Sequence, residues 1–211
     1  MKRQIFILLI LSAAVFTASY NCLAQAPAPQ PPHDHSHMTA KEASPAEKYF
    51  TDVELTNQDG KKVHLYSDVL KGKTVVVNAF FTTCTSVCPP MNRNMEKIQE
   101  ALSDRVGRDV FLVSITVDPE TDTPERIKEY AKKFHAGAGW TFLTGKKENL
   151  DWALYKLGQY VEKKDDHTTV FIIGNEPTGL WKKAFGMANV AELVQVVESV
   201  VNDKGDKGTT R

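Results

Sequence analysis

The chain has 211 residues, 42% hydrophobic and 25% charged, and its 26 basic residues balance 26 acidic ones. A pI near 7.0 gives no support for nucleic-acid binding driven by bulk charge, and three cysteines are too few for a disulfide-stapled scaffold. A mean hydropathy of -0.32 with one long apolar run excludes a polytopic membrane protein and leaves a soluble domain behind an N-terminal apolar segment.

In chain order, Lys2 and Arg3 precede an uncharged stretch from Ile5 to Ala18, and Ala24-Gln25-Ala26 places small residues where a signal peptidase reads. The stretch is short against the roughly 20 apolar residues of a membrane span. We therefore read residues 1–26 as a signal peptide, with an uncleaved anchor and membrane tether as the alternative. Cys22 follows Asn21, which is large and polar where a lipoprotein site wants a small residue. A compact apolar core with one Arg in residues 1–40 points to bacterial export, to the periplasm or the outer face of the cytoplasmic membrane, rather than mitochondrial import. Removing residues 1–26 takes away Lys2 and Arg3 and no acid, leaving a net charge of -2.

Residues 27–44 read as a disordered Pro/His-rich spacer. His33, His35 and His37, followed by Met38, could chelate copper, nickel or zinc as an accessory site. The folded domain is expected over 45–203, with a flexible tail at 204–211. A hairpin pairs Val53–Leu55 with Val63–Leu65 across Asn57-Gln58-Asp59-Gly60. Thr74–Phe80 and Val110–Val117 read as buried strands. Met91–Leu102 has helical spacing, with Met91, Met95, Ile98 and Leu102 on one stripe. Thr123 caps a helix that Pro124 opens and that runs to Phe134. A strand at Trp140–Leu143, a helix at Glu148–Leu157, strands at Thr169–Ile173 and Leu180–Phe185 and a helix at Val190–Val201 complete the pattern. This alternation predicts an α/β, thioredoxin-like fold: a central mixed sheet flanked by helices, with an additional N-terminal β-hairpin.

Chemistry concentrates after the first central strand. Phe81-Thr82-Thr83-Cys84-Thr85-Ser86-Val87-Cys88-Pro89-Pro90 sets two cysteines four apart where a strand runs into a helix N-terminus. Free N–H groups and the helix dipole there favour anions, so both thiols are expected to lean toward thiolate. That serves either a reversible dithiol or a soft-metal site. His167 is the candidate third partner, because it stands at the mouth of a strand where thioredoxin-like oxidoreductases commonly place a cis-proline facing the cysteines. Two thiolates and one imidazole form a soft set suited to Cu(I). Asp118-Pro119 reads as a strand end rather than a ligand, Met91 and Met95 as core, His64 as surface, and His135 as a residue meeting a helix C-terminal dipole.

Three ordered motifs, Cys84-x3-Cys88-Pro89 after TVVVNAFFT, Ser114–Pro119 with Asp122-Thr123-Pro124-Glu125, and Asp166-His167-Thr168, resemble the Sco/SenC family of thioredoxin-fold, membrane-associated proteins. The resemblance implies that Cys84, Cys88 and His167 bind copper as Cu(I) or Cu(II). It implies a metallochaperone role in building the dinuclear copper centre of cytochrome c oxidase subunit II, or of another copper-requiring client. An upstream copper donor and a thiol reductant would complete the partners, and no nucleic acid is expected. The competing enzymatic reading is a thiol:disulfide reductase that uses Cys84 and Cys88 as a redox pair without His167. A thiol peroxidase fits less well: Thr83-Cys84-Thr85 lacks the proline-and-threonine lead-in of those sites, and no Arg falls between residues 74 and 92.

Overall fold

The computed structural model describes residues 44–205. The expected signal segment, His33, His35 and His37, and the last residues of the tail lie outside them.

A seven-stranded sheet organises the chain, in the order β2-β1-β5-β4-β3-β6-β7. Strand β3 (Thr74–Phe80) runs parallel to β4 (Phe111–Thr116), which runs parallel to β5 (Trp140–Thr144). Strand β6 (Val170–Asn175) lies antiparallel to β3, and β7 (Leu180–Phe185) pairs back on β6 with Val170 opposite Phe185. The hairpin of β1 (Glu54–Asn57) and β2 (Lys62–His64) joins the other edge, β1 running antiparallel to β5.

All seven residues of TVVVNAF in β3 are buried, because helices cover both faces of the sheet. One face packs Val76, Phe80, Leu112 and Phe142 against α2 (Cys88–Leu102), α3 (Pro124–Lys132) and α5 (Val190–Val201). The other packs Val75, Val77, Val113 and Ile115 against α1 (Pro45–Phe50), the π-helical turn Leu65–Leu70 and α4 (Lys147–Lys156). This three-layer mixed α/β arrangement is thioredoxin-like, and β1–β2 is its additional N-terminal hairpin.

Two elements were not anticipated. In α1, the Ser44 hydroxyl accepts from the Glu47 N–H, and only Phe50 is buried, so no apolar stripe advertises the helix. The π-helical turn buries Leu65, Tyr66, Val69 and Leu70, but six residues are too few to show a helical stripe, and the first of them falls in the stretch expected as a strand. His135 also departs from expectation. It lies beyond α3 at φ 49, and its Nδ1 meets Glu96 Oε1 of α2 at 2.5 Å rather than a helix terminus. Met91 and Met95 are fully buried core residues, and His64 lies on the surface beside Asp68.

Candidate metal centre

The site forms where β3 ends, α2 begins and β6 starts. A loop from Phe81 to Val87 carries Cys84, whose N–H donates to the Phe81 carbonyl at 3.2 Å. Helix α2 opens on Cys88, and Pro89 and Pro90 occupy the next two positions of its first turn. Prolines carry no N–H, so this turn leaves few free donors. That of Cys88 points at Cys84 Sγ, 3.4 Å away, and the sulfur of Cys84 therefore stands where a helix cap would.

His167 arrives from the other side, at the end of the 3-10 turn Lys164–Asp166. Its Nδ1 lies 3.0 Å from the Lys164 carbonyl oxygen, and a carbonyl can only accept. Nδ1 must therefore carry the proton, which leaves the Nε2 lone pair facing Cys88 Sγ at 3.1 Å. The Phe81 ring meets the imidazole edge to face, centroids 5.2 Å apart. Lys164 ties the turn to the end of β4 through Asp118 Oδ2 at 2.8 Å, so Asp118 orients the histidine-bearing segment. The ligand-type atoms of Cys84, Cys88 and His167 all lie within 4.8 Å of one another, and all three residues are buried.

The expectation that both thiols lean toward thiolate holds for Cys84 and not for Cys88. Burial opposes ionisation of Cys84, but hydrogen bonds from the Cys88 thiol and from the Cys88 and Ser86 backbone outweigh it, and the Cys84 thiol is lowered. Cys88, fully buried, is pushed well up, first by burial and then by donating to Cys84. Position decides this split: Cys84 receives the helix donors, whereas Cys88 sits inside the helix start against the core. His167 is lowered, chiefly by burial. The Cys88 thiol thus stands between two acceptors, Cys84 Sγ and the Nε2 lone pair of His167, and its one proton serves only one of them at a time.

Asp122 opens the Asp122-Thr123-Pro124-Glu125 motif, which by itself assigns the carboxylate no role. It is fully buried. Its carboxylate accepts from the Thr82 N–H at 3.1 Å, the Thr82 hydroxyl, and the Thr116 hydroxyl at 2.5 Å. Asp122 thus clamps the start of the cysteine loop to the end of β4. An acidic residue just before a Thr-Pro helix start was the available signal. Below the site, Asn78, Asn92, Ser114, Tyr130 and Trp140 form a buried hydrogen-bonded chain between β3, α2, β4, α3 and β5.

The SCO1/SenC family model matches residues 41–202. A SCO1 protein homolog of Bacillus subtilis is 37% identical over 117 residues, which is 54% of this chain and 59% of that protein's length. BsSco, described as a Sco-family cytochrome c oxidase assembly protein with a disulfide switch, has a structure 30% identical in sequence, with a TM-score of 0.61 over 74% of this chain and 94% of that one. The structure of Arabidopsis thaliana ScoI with copper bound is 28% identical, with a TM-score of 0.58 over 71% of this chain and 96% of that one.

Proposed function

Because the chain belongs to the SCO1/SenC family, we propose that Cys84, Cys88 and His167 hold copper as a transient cargo and that the protein helps build the dinuclear copper centre of cytochrome c oxidase subunit II. The observation that carries this reading is the convergence of two thiols and one imidazole within 4.8 Å in a buried pocket. The donor chemistry fits: thiolates select Cu(I), and imidazole serves both oxidation states. The Lys164 carbonyl fixes the tautomer that leaves Nε2 free, so no rearrangement of the ring is needed. Copper bound to ScoI and the oxidase-assembly description of BsSco support the same reading.

Capture displaces a proton, since the raised Cys88 thiol must ionise to become a ligand. Copper uptake therefore weakens as pH falls. Release follows when a client's cysteines compete for the ion. Oxidation to a Cys84–Cys88 disulfide removes both thiolates and ends binding, so an upstream copper donor and an outside thiol reductant belong to the cycle. We place this work on the exported side of a bacterial membrane, a reading that rests on the sequence of residues 1–26.

The split between the two thiols favours a second reading, thiol:disulfide reduction. The Cys84 thiolate attacks a client disulfide, forms a mixed disulfide and releases one client thiolate. Cys88, once deprotonated, displaces the other, leaving a Cys84–Cys88 disulfide for an external dithiol to reduce. Two anaerobic assays with a soluble subunit II copper domain separate the readings. Copper-loaded protein should metallate the reduced domain, and His167→Ala should abolish that transfer. If instead both wild type and His167→Ala reduce the oxidised domain equally while neither delivers copper, the reductase reading stands.

A further inference from the structure

On the sheet face away from α2, a cavity of about 520 Å³ opens between α1, the end of α4 and the β6–β7 hairpin. Its floor is apolar and nearly closed: Phe50, Leu157 and Ile172 are 7%, 5% and 4% exposed. Trp181 forms one wall, its ring 5.1 Å from that of Phe50. The ring lies flat on β6 only because residue 174 is glycine: a Cβ there would sit 2.2 Å from it. Tyr49, 54% exposed, stands at the lip.

The charged side chains of the lining are all of one sign. Among the described residues, lysines line the cavity and no Asp or Glu does. Lys182 turns its ammonium to Ser199 Oγ at 2.8 Å, which leaves Lys156 and Lys183 to set the charge at the mouth. The Lys156 ammonium lies 4.7 Å from the Tyr49 ring centroid. That of Lys183 lies 3.8 Å from where a side chain at Gly158 would begin, so the glycine keeps the mouth open beside it. An apolar chamber of several hundred Å³ with a few convergent polar groups is the usual form of a small-molecule site.

We propose that this cavity binds a single-chain anionic amphiphile of the fatty-acid class. Its hydrocarbon tail lies on Phe50, Leu157, Ile172 and Trp181, and its carboxylate faces Lys156 and Lys183. The cationic lip selects the sign of the head group, and the concave floor fits one chain rather than the plane of a bilayer. The site is independent of the copper reading: it lies on the opposite face of the sheet from α2 and shares no residue with Cys84, Cys88 or His167.

The test titrates the full chain with dodecanoate below its micellar range, following tryptophan emission and displacement of a dansyl-labelled fatty acid. One saturable equivalent is expected. Lys156→Glu and Lys183→Glu should each weaken it about tenfold, the scale of one charge-assisted contact. Dodecyltrimethylammonium should not compete, and copper stoichiometry should be unchanged in both variants. Uptake by any other apolar segment would ignore these two lysines, so binding indifferent to both reversals overturns the proposal. Absence of saturable binding, or equal binding of the cationic amphiphile, does the same. Binding only after residues before Ser44 are removed would make those residues the occupant instead.

Discussion

Removing the Asp122 carboxylate should cost far more than a surface substitution, and the structure sets the scale. Asp122 is fully buried and accepts from one backbone N–H and two hydroxyls. In Asp122→Ala the Thr82 hydroxyl can turn toward solvent, but the Thr82 N–H and the buried Thr116 hydroxyl lose their acceptor. Each orphaned donor costs about 1–3 kcal/mol, so the expected loss is about 3 kcal/mol, a fall of roughly 6–12 °C in Tm for a domain of this size. Asp122→Asn keeps one acceptor oxygen and needs one hydroxyl to rotate, and should cost about 1 kcal/mol. Urea and thermal unfolding of the reduced protein measure both. Because Thr82 stands two residues before Cys84, the alanine variant should also blur the difference in alkylation rate between Cys84 and Cys88. An alanine variant within about 0.5 kcal/mol of wild type would refute the clamp.

Brief alkylation of the reduced protein near neutral pH should label Cys84 well before Cys88, read by peptide mass mapping, because one thiol is lowered and the other raised; equal labelling would contradict the split. The lowered His167 gives a defined pH effect. A depressed folded pKa contributes stability above the unfolded value of about 6.5 that is lost as pH falls below it. The drop in Tm between about pH 7.5 and 5.5, a window above the range of the lowered Glu96, should therefore shrink in His167→Gln. Gly174→Ala drives a methyl into the Trp181 ring and should cost about 1–3 kcal/mol by overpacking; an unchanged Tm would show that the ring moves freely.

The middle of the sheet is legible in the sequence because a strand buried on both faces, Thr74–Phe80 above all, reads as an unbroken apolar run. Thr74–Phe80, Leu180–Phe185 and Val190–Val201 match the observed elements end to end. Helix α1 escaped because one buried residue in six makes no periodicity, although Ser44 and Glu47 have the spacing of a capping box. The juxtaposition of Cys84, Cys88 and His167 was readable from motif order, since the thioredoxin-like topology brings the start of β6 against the end of β3. The inequality of the thiols was not. Two cysteines at one helix start look alike in sequence, and only packing shows which one receives the N–H donors and which enters the core. His135 was misplaced for a related reason: its partner Glu96 is distant in sequence and meets it only through the packing of α2 beside the end of α3.

The most direct test of the account is anaerobic Cu(I) titration of the reduced protein beside Cys84→Ala, Cys88→Ala and His167→Ala. We predict one tightly bound equivalent in the wild type, loss of tight binding in both cysteine variants, and a loss in His167→Ala exceeding the roughly 10–100-fold that a mere supporting partner costs. Copper affinity unchanged in His167→Ala would contradict the three-ligand centre.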